Sequence, residues 1–267
     1  MSEILSKYKN ECAVLVISCD KNLGLLKIFF DFFNKNWADC PFPVYLGLEQ
    51  ENPKFENVNV VCSDIKEFSG RVQDYIRKIG HKYVLVILDD FILEKEVCTQ
   101  DILGYYNLMV SDDKIANITL AWLRTDDTAT EHPHLLQRTR NAEYLMNFQV
   151  GFWNSEVLSS LLKEKENAWQ AELYGSIRGR NFKEYCFLHL DTDDNMPYLY
   201  NRGWLIVKGA WNGNEIKRLH LEKYADSFLD GKKILYSDFG KMPKTQSIPL
   251  RIGLMSRKVL STFGIYY

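Results

Sequence analysis

The segment Tyr83–Asp90, YVLVILDD, decides the fold of this 267-residue chain. Its first six residues are apolar and are typical of a β-strand buried on both faces. Two aspartates, Asp89 and Asp90, follow directly. Upstream of this segment, strand patterns alternate with helix patterns. The alternation predicts an α/β fold, with a mostly parallel central sheet and helices on both of its faces.

The same reading assigns elements along the rest of the chain. We predict strands at Ala13–Ser18, Val44–Leu48, Val58–Cys62, Ile118–Leu123 and Phe148–Trp153, and helices at Asn22–Trp37, Phe68–Ile79, Glu96–Met109 and Ser155–Lys163 with Ser155 as its N-cap. Residues 124–141 lack an apolar period and are predicted to form one long polar loop. Strand character is expected in residues 198–209, and a short basic amphipathic helix in 251–263.

Composition excludes several classes of protein. The chain is 46% hydrophobic and 25% charged, as in globular domains, and its net charge of −2 gives no global attraction to nucleic acid. Six scattered cysteines without a C-x-x-C pair argue against a zinc site and a disulfide scaffold. The polar N-terminus and the lack of an apolar run near about 18 residues predict a cytoplasmic location. We expect a single domain, 1–267.

Acidic or hydroxyl side chains stand at the end of four predicted strands. These are Ser18 and Asp20, Glu49, Ser63 and Asp64, and Asp89 and Asp90. The carboxyl ends of parallel strands meet at one edge of a sheet, where ligands of such folds bind. Carboxylates there suit a hydroxyl-rich ligand and a divalent cation, Mg²⁺ or Mn²⁺. The alternative is that these residues cap turns and helices.

The Asp89–Asp90 pair is the strongest candidate, because adjacent carboxylates repel each other and a cation relieves the repulsion. The first strand leads into CDKNLG, which is neither a G-x-G-x-x-G nor a G-x-x-x-x-G-K loop. Dinucleotide dehydrogenases and P-loop ATPases are therefore disfavoured. No G-x-S-x-G nucleophile elbow is found either, which disfavours α/β-hydrolases.

Four motifs together resemble a family of bacterial glycosyltransferases for cell-surface polysaccharides. The motifs are ISCDK at 17–21, WADCPFPVYL at 37–46, FSGR at 68–71 and YVLVILDDFIL at 83–93. The likeness covers about residues 13–173. It implies a GT-A type fold, a Rossmann-type α/β sandwich for nucleotide sugars, with Asp89-Asp90-Phe91 where many relatives have Asp-x-Asp.

The resemblance also implies roles for the residues of the first half, about 1–110, which would bind the donor. Ser18 and Asp20 would contact the nucleotide, Glu49 the base or ribose, Arg71 the nucleotide from the start of its helix, Asp89 the ribose or donor sugar, and Asp90 a Mn²⁺ or Mg²⁺ ion.

The second half, about 111–267, would meet the acceptor. The segment Asn167–Glu172, NAWQAE, looks like the Pro-Trp-x-x-Glu segment of the family, with Ala168 in place of the proline. By this likeness Glu172 is the expected catalytic base and Trp169 a stacking surface for a sugar. The alternative is that Trp169 is core and Glu172 an exposed helix residue. Trp204 and Trp211 line the sugar pocket in one interpretation and belong to the core in the other.

The resemblance implies an inverting hexosyltransferase that uses a nucleoside-diphosphate sugar, with UDP as the expected nucleotide. The saccharide acceptor would belong to polysaccharide or lipopolysaccharide synthesis. If it is lipid-linked, the basic tail would make peripheral contact with the membrane. A non-catalytic nucleotide- or sugar-binding protein with the same fold is the rival. A nucleotidyltransferase is less well supported, because no Gly-rich basic loop follows the first strand.

Overall fold

A computed structural model describes residues 11–201, 205–207, 209–224 and 232–236. The strands are β1 Cys12–Ile17, β2 Val44–Leu48, β3 Val58–Cys62, β4 Tyr83–Leu88, β5 Ile115–Trp122, β6 Asp127–Ala129, β7 Leu135–Arg138, β8 Gly151–Asn154, β9 Cys186–Leu190, β10 Ile206–Val207, β11 Ala210–Asn212 and β12 Ile234–Leu235. The α-helices are α1 Leu23–Asn36, α2 Phe68–Ile79, α3 Thr99–Ser111, α4 Ser155–Leu161, α5 Ala168–Gly179 and α6 Gly213–Arg218. Short 3₁₀ turns lie at Asp20–Asn22 and Asp193–Asn195.

The central sheet has nine strands in the order β3-β2-β1-β4-β8-β5-β9-β7-β6. Strands β7 and β8 run opposite to the other seven. The predicted α/β class with a mostly parallel sheet is therefore confirmed. Strands β10, β11 and β12 form a separate small sheet.

A topological switch point lies between β1 and β4. From β1 the chain moves outward through β2 to β3, and then returns to place β4 on the other side of β1. The two central strands pair in parallel from Cys12 with Tyr83 to Ile17 with Leu88. Ligands of open α/β sheets bind in the crevice outside the strand ends at such a point. The residues that follow Ile17 and Leu88 are thus the first to consider for function.

Apolar cores cover both faces of the sheet, because its central strands are apolar on both sides. Helices α1 and α3 pack on one face, with Leu25, Phe29 and Ile102 buried among strand residues. Helices α2, α4 and α5 pack on the other, where Val72 and Ala171 are buried. The second of these helix layers brings the start of α5 close to the start of α2, since the Ser69 amide donates to the Glu166 carbonyl.

Local sequence sets the helix ends. Helix α2 stops at Gly80, whose φ of 70° is in the left-handed region that favours glycine, and the Gly80 amide donates to Ile76. Helix α5 begins with a capping box, in which Asn167 and Gln170 bond each other's backbone. At α4 the predicted N-cap is wrong by one residue, because Asn154 caps the helix with its side-chain oxygen.

Two further predictions need correction, and one strand was missed. The polar stretch 124–141 is not one loop, since β6 and β7 form an antiparallel hairpin within it. Strand β9 was not predicted at all. In residues 198–209 the described strand is β10, with an isolated bridge at Tyr200. The predicted basic helix at 251–263 lies outside the described residues. No helix in the described ranges is long and apolar enough to cross a membrane.

Candidate functional site at the β1–β4 switch point

Backbone hydrogen bonds continue past the last residues of β1, β2 and β4 and keep the ends of these three strands side by side. The Ser18 amide donates to the Gly47 carbonyl at 3.1 Å, and the Asp89 amide donates to the Ile17 carbonyl at 3.2 Å. Ser18, Asp20, Glu49, Asp89 and Asp90 therefore follow strands that end at one edge. The sequence prediction that these residues share an edge is correct.

Ser18 and Asp89 meet across the switch point. The Ser18 hydroxyl donates to Asp89 Oδ2 at 2.5 Å, and the Asn22 side-chain amide donates to the same oxygen at 2.9 Å. Both Ser18 and Asp89 are buried, with 7% exposure each. Burial raises the pKa of the Asp89 carboxyl, and the hydrogen bonds from Ser18 and Asn22 oppose that rise. Asn22 was not predicted as a site residue.

Asp90 stands beside this cluster, and its carboxyl accepts a hydrogen bond from its own backbone amide. Among the described residues, no other side chain makes a hydrogen bond or ion pair with it. Burial, and then the charge of Asp89, raise the pKa of Asp90 to about 8. A carboxyl in this state binds a proton readily, and a cation would take the place of that proton.

The carboxylate oxygens at Asp90 fit a metal ion that takes only one or two of its ligands from the protein. Across the ranges described above, no group of three His, Cys, Asp or Glu side chains is arranged to bind a metal ion. Mg²⁺ is commonly held by one or two carboxylates together with substrate phosphates and waters. The oxygens of Asp90, with Asp89 next to it, match that pattern and do not form a closed metal cage.

Asp20 and Glu49 bond each other's backbone. Asp20 accepts from the Glu49 amide at 3.1 Å and the Gln50 amide at 3.1 Å, while Glu49 Oε2 accepts from the Asp20 amide at 2.5 Å. Glu49 Oε1 also forms an ion pair with Arg71 at 3.3 Å. The structure thus brings the three predicted residues together, and it gives the Asp20 carboxylate the capping role that was the alternative interpretation.

Close packing between α2 and β2 fixes the position of Glu49, which follows β2. A Cβ at Gly47 would lie 2.5 Å from the Tyr75 ring, so only glycine allows this ring to reach the strand. The Tyr75 hydroxyl then donates to the Leu48 carbonyl at 2.8 Å. One turn earlier in α2, Arg71 faces the same strand end, which explains its contact with Glu49.

Two later parts of the chain complete this edge. Lys232 donates from Nζ to the Lys21 carbonyl at 2.5 Å, and its charge lowers the pKa of Asp89, against the larger effect of burial. The loop after Asp90 is fixed by Asn201, which accepts from the Ile92 amide at 3.0 Å. Lys232 and Asn201, both from the last quarter of the chain, therefore lie near the aspartate pair.

Glu172 lies near the same edge, on α5. Its Oε1 accepts from the Phe148 amide at 2.8 Å. Phe148 precedes β8, whose first residue, Gly151, pairs with Val86 near the carboxyl end of β4. The Phe148 ring also contacts Phe68 at the start of α2, with centroids 5.0 Å apart. Burial raises the pKa of Glu172, and the Phe148 hydrogen bond partly opposes this.

The three tryptophans proposed for the acceptor half differ. Trp169 is 45% exposed, three residues before Glu172 on α5, so it is not a core residue. Trp211 is fully buried in the main core, which corrects its interpretation as a pocket residue in favour of the packing alternative. Trp204 lies outside the described residues.

Comparisons with known proteins give only distant likenesses. No protein-family model matches this chain, and no curated protein matches it by sequence. Similar solved structures include TarS from S. aureus, with 9% identity, 67% of this chain and 36% of TarS covered, and a TM-score of 0.44. A second is the mannosyltransferase PcManGT from Pyrobaculum calidifontis in complex with GDP-Man and Mn²⁺, with 11% identity, 85% of this chain and 66% of that chain covered, and a TM-score of 0.48.

A third is a cytidylyltransferase from Leptospira borgpetersenii serovar Hardjo-bovis, with 10% identity, 85% of this chain and 100% of that chain covered, and a TM-score of 0.44. The chain spans about a third of the length of TarS. Likenesses at this level assign neither an activity nor a residue role to this chain.

Proposed function

We propose that this chain is a glycosyltransferase that moves a sugar from a nucleoside-diphosphate donor, with UDP as the expected nucleotide, to a saccharide acceptor. The observation that carries the proposal is the aspartate pair at the switch point. Asp89 is buried and held by Ser18 and Asn22, while Asp90 keeps a carboxylate with no side-chain partner in the described part of the chain. The family resemblance of the same segments supports this assignment.

On this proposal the donor lies outside the ends of β1, β2 and β4. Asp89 accepts a hydrogen bond from a hydroxyl of the ribose or the donor sugar. Glu49 and Arg71 form the wall for the base and ribose, and Asp20 acts through Glu49, because its own oxygens are used by backbone amides. Lys232 adds positive charge at this edge, which favours a diphosphate.

Asp90 is the residue proposed to hold a divalent metal, Mn²⁺ or Mg²⁺, with diphosphate oxygens as further ligands. When bound, such a metal neutralises the negative charge that develops on the departing diphosphate. The raised pKa of Asp90 means that the cation competes with a proton at neutral pH. Metal affinity should therefore increase with pH up to about 8.

Glu172 is the proposed base for an inverting displacement. The acceptor hydroxyl oxygen attacks C1 of the donor sugar, and its proton passes to the Glu172 carboxylate. The bond between C1 and the diphosphate oxygen breaks, and its electron pair leaves with the nucleoside diphosphate. The pKa of Glu172 is raised by burial, which makes the carboxylate a better base near neutral pH.

A non-catalytic nucleotide- or sugar-binding protein is the second candidate. It is favoured by the reciprocal capping of Asp20 and Glu49, which gives these carboxylates a structural task. Such a protein would need the edge to bind a nucleotide but would need no base at Glu172.

A nucleotide screen followed by a donor assay separates the two. The purified protein is heated with UDP, GDP, CDP or ADP, with and without Mn²⁺, because a bound ligand raises the unfolding temperature. A shift with one nucleotide, followed by slow hydrolysis of its nucleotide sugars, supports the glycosyltransferase. A shift without hydrolysis or transfer supports the binding protein, and no shift with any nucleotide contradicts both.

A further inference from the structure

Tyr144, in the segment between β7 and β8, has an unusual conformation. Its φ is 56°, in the left-handed region that a bulky side chain rarely adopts. Its side chain is 49% exposed, so burial of the ring does not compensate for this backbone. Strained positions persist only where the surroundings over-determine them, and they cluster at functional sites.

The surroundings of Tyr144 do hold it firmly. Its carbonyl accepts from Arg138 Nη1 at 3.4 Å and from Asn147 Nδ2 at 3.3 Å. The next two residues, Leu145 and Met146, are fully buried in the apolar core beneath α5. Tyr144 is thus fixed through its main chain, while its side chain stays half exposed.

Burial of the Arg138 side chain costs free energy, because its charge has no ion-pair partner among the described residues. Its side chain is buried, and its hydrogen bonds go to neutral oxygens of Thr119, Leu188, Asn117 and Tyr144. No carboxylate within the described ranges forms an ion pair with it, and its Nε has no hydrogen-bond partner. An unpaired buried charge is expensive, so a purely structural role would be served better by a neutral residue.

The segment that Arg138 fixes is also the one that contacts Glu172 of α5. Met146 and Ser176 of α5 exchange hydrogen bonds of 3.0 and 3.1 Å, and the Phe148 amide bonds Glu172. Partial burial of the half-exposed side chain and then the charge of Glu172 raise the pKa of the Tyr144 hydroxyl, which is consistent with this proximity. An exposed ring therefore belongs to the segment that contacts the proposed base.

We propose that Tyr144 is an acceptor-binding residue whose ring packs against a sugar of the saccharide acceptor, and that Arg138 is its positioning residue. The inference rests on the proposed glycosyltransferase function and adds a residue to its acceptor side. A tyrosine suits this task because its ring is apolar and its hydroxyl can bond a sugar hydroxyl. Trp169, three residues before Glu172, offers a second exposed ring from α5.

Binding of methyl glycosides, measured by saturation-transfer NMR without any nucleotide, tests the inference. The probes are the methyl α- and β-glycosides of glucose, galactose, mannose and N-acetylglucosamine. We expect at least one of these glycosides to bind the native protein. The Y144G substitution should weaken its affinity by roughly tenfold or more, which corresponds to the loss of one good aromatic contact. Y144F should stay within about threefold, because it keeps the ring.

Thermal unfolding distinguishes this role from a structural one. Y144G removes the strain together with the ring, so its unfolding temperature should equal or exceed that of the native protein. The matched control is N57G, at another exposed left-handed residue, which should behave alike in unfolding and leave glycoside binding unchanged. A clear fall in the unfolding temperature of Y144G, beyond that of N57G, would overturn the inference.

The positioning role of Arg138 is tested by a double-mutant cycle with R138K and Y144G. If Arg138 acts through Tyr144, R138K weakens glycoside binding in the native background and has no further effect in the Y144G background. Additive losses would overturn the positioning role. Glycoside binding that is absent, or unchanged in Y144G, would overturn the inference itself. Calorimetric binding of UDP with Mn²⁺ to the same samples reports separately on the proposed function.

Discussion

The Ser18 hydroxyl donates to Asp89 Oδ2 at 2.5 Å and so connects the end of β1 to the end of β4 across the topological switch point. The two residues are 71 positions apart in sequence and adjacent in the sheet. Asn22, in the turn that leads into α1, donates to the same oxygen. One buried carboxylate therefore organises the three segments that surround the proposed donor site.

Replacing Ser18 by alanine should weaken nucleotide binding. The S18A variant loses a hydrogen bond to a charged group, which typically contributes about 1.5–3 kcal/mol, and the pKa of Asp89 should rise further. We expect UDP to bind at least about tenfold more weakly by calorimetry, since tenfold corresponds to about 1.4 kcal/mol. S159A, on α4, is the matched control. Equal UDP affinity in S18A and the native protein would contradict the role given to this hydrogen bond.

Replacing Asp90 by asparagine should abolish sugar transfer and leave the fold intact. The side chain keeps its size and loses the charge that a cation needs. Donor hydrolysis in the presence of Mn²⁺ is the measurement, with the circular dichroism spectrum as a check of folding. The control is D64N, which changes an exposed aspartate after β3. Near-normal turnover by D90N would refute the metal assignment.

Asp90 should also make the metal-free protein less stable as the pH rises. Its carboxyl has a pKa of about 8 in the folded protein against an ordinary 3.8, so the unfolded chain releases this proton first. The stabilisation is complete below about pH 4 and is lost as the pH approaches 8. The asparagine in the D90N variant has no proton to release in this pH range. Its unfolding temperature, measured from pH 5 to 8, should exceed that of the native protein by a growing margin, and parallel curves would contradict the shift.

Replacing Glu172 by glutamine should separate donor binding from transfer. The amide keeps its hydrogen bond from the Phe148 amide through its oxygen, but it cannot accept the acceptor proton. We expect UDP affinity within about twofold of the native value and a loss of transfer of about 100-fold or more, a typical contribution of general-base catalysis. E156Q, at an exposed position on α4, is the control. Transfer by E172Q at the native rate would show that the base lies elsewhere.

A pair of glycine substitutions tests the packing that supports Glu49. G47A places a methyl group 2.5 Å from the Tyr75 ring and should cost about 1–3 kcal/mol of unfolding free energy. G104A, in α3, meets nothing within 4 Å and should be neutral or stabilising by up to about 1 kcal/mol. Urea denaturation measures both. An unchanged unfolding free energy in G47A would mean that Tyr75 can move away freely.

The first ninety residues could be predicted from sequence because their signals are local. Strands β2, β3 and β4 and helix α2 have the predicted bounds, since each is a continuous apolar run or a clear helical period that ends at a breaker. Strands β6 and β7 were missed because they are short and rich in polar residues. Strand β9, CFLHL, was missed because periodicity does not separate so short an apolar run from a buried helix segment. Asp127, Arg138 and His189 are examples of polar strand residues in this region.

The candidate site was predictable in part for the same reason. Residues at strand ends could be identified once the strands were assigned, and the topology brings Ser18, Glu49 and Asp89 to one edge. Asn22 had no signal of its own, because only the folded turn directs it at Asp89. Lys232 and Tyr144 depend on contacts between distant parts of the chain, which no spacing in the sequence reveals.

The most direct test of the central claim is a crystal structure of the protein with UDP and Mn²⁺. The account predicts the nucleotide outside the carboxyl ends of β1 and β4, with the ribose beside Asp89 and the metal bound by Asp90 and the diphosphate. A nucleotide bound elsewhere, or a switch point that stays empty at saturating UDP, would contradict it.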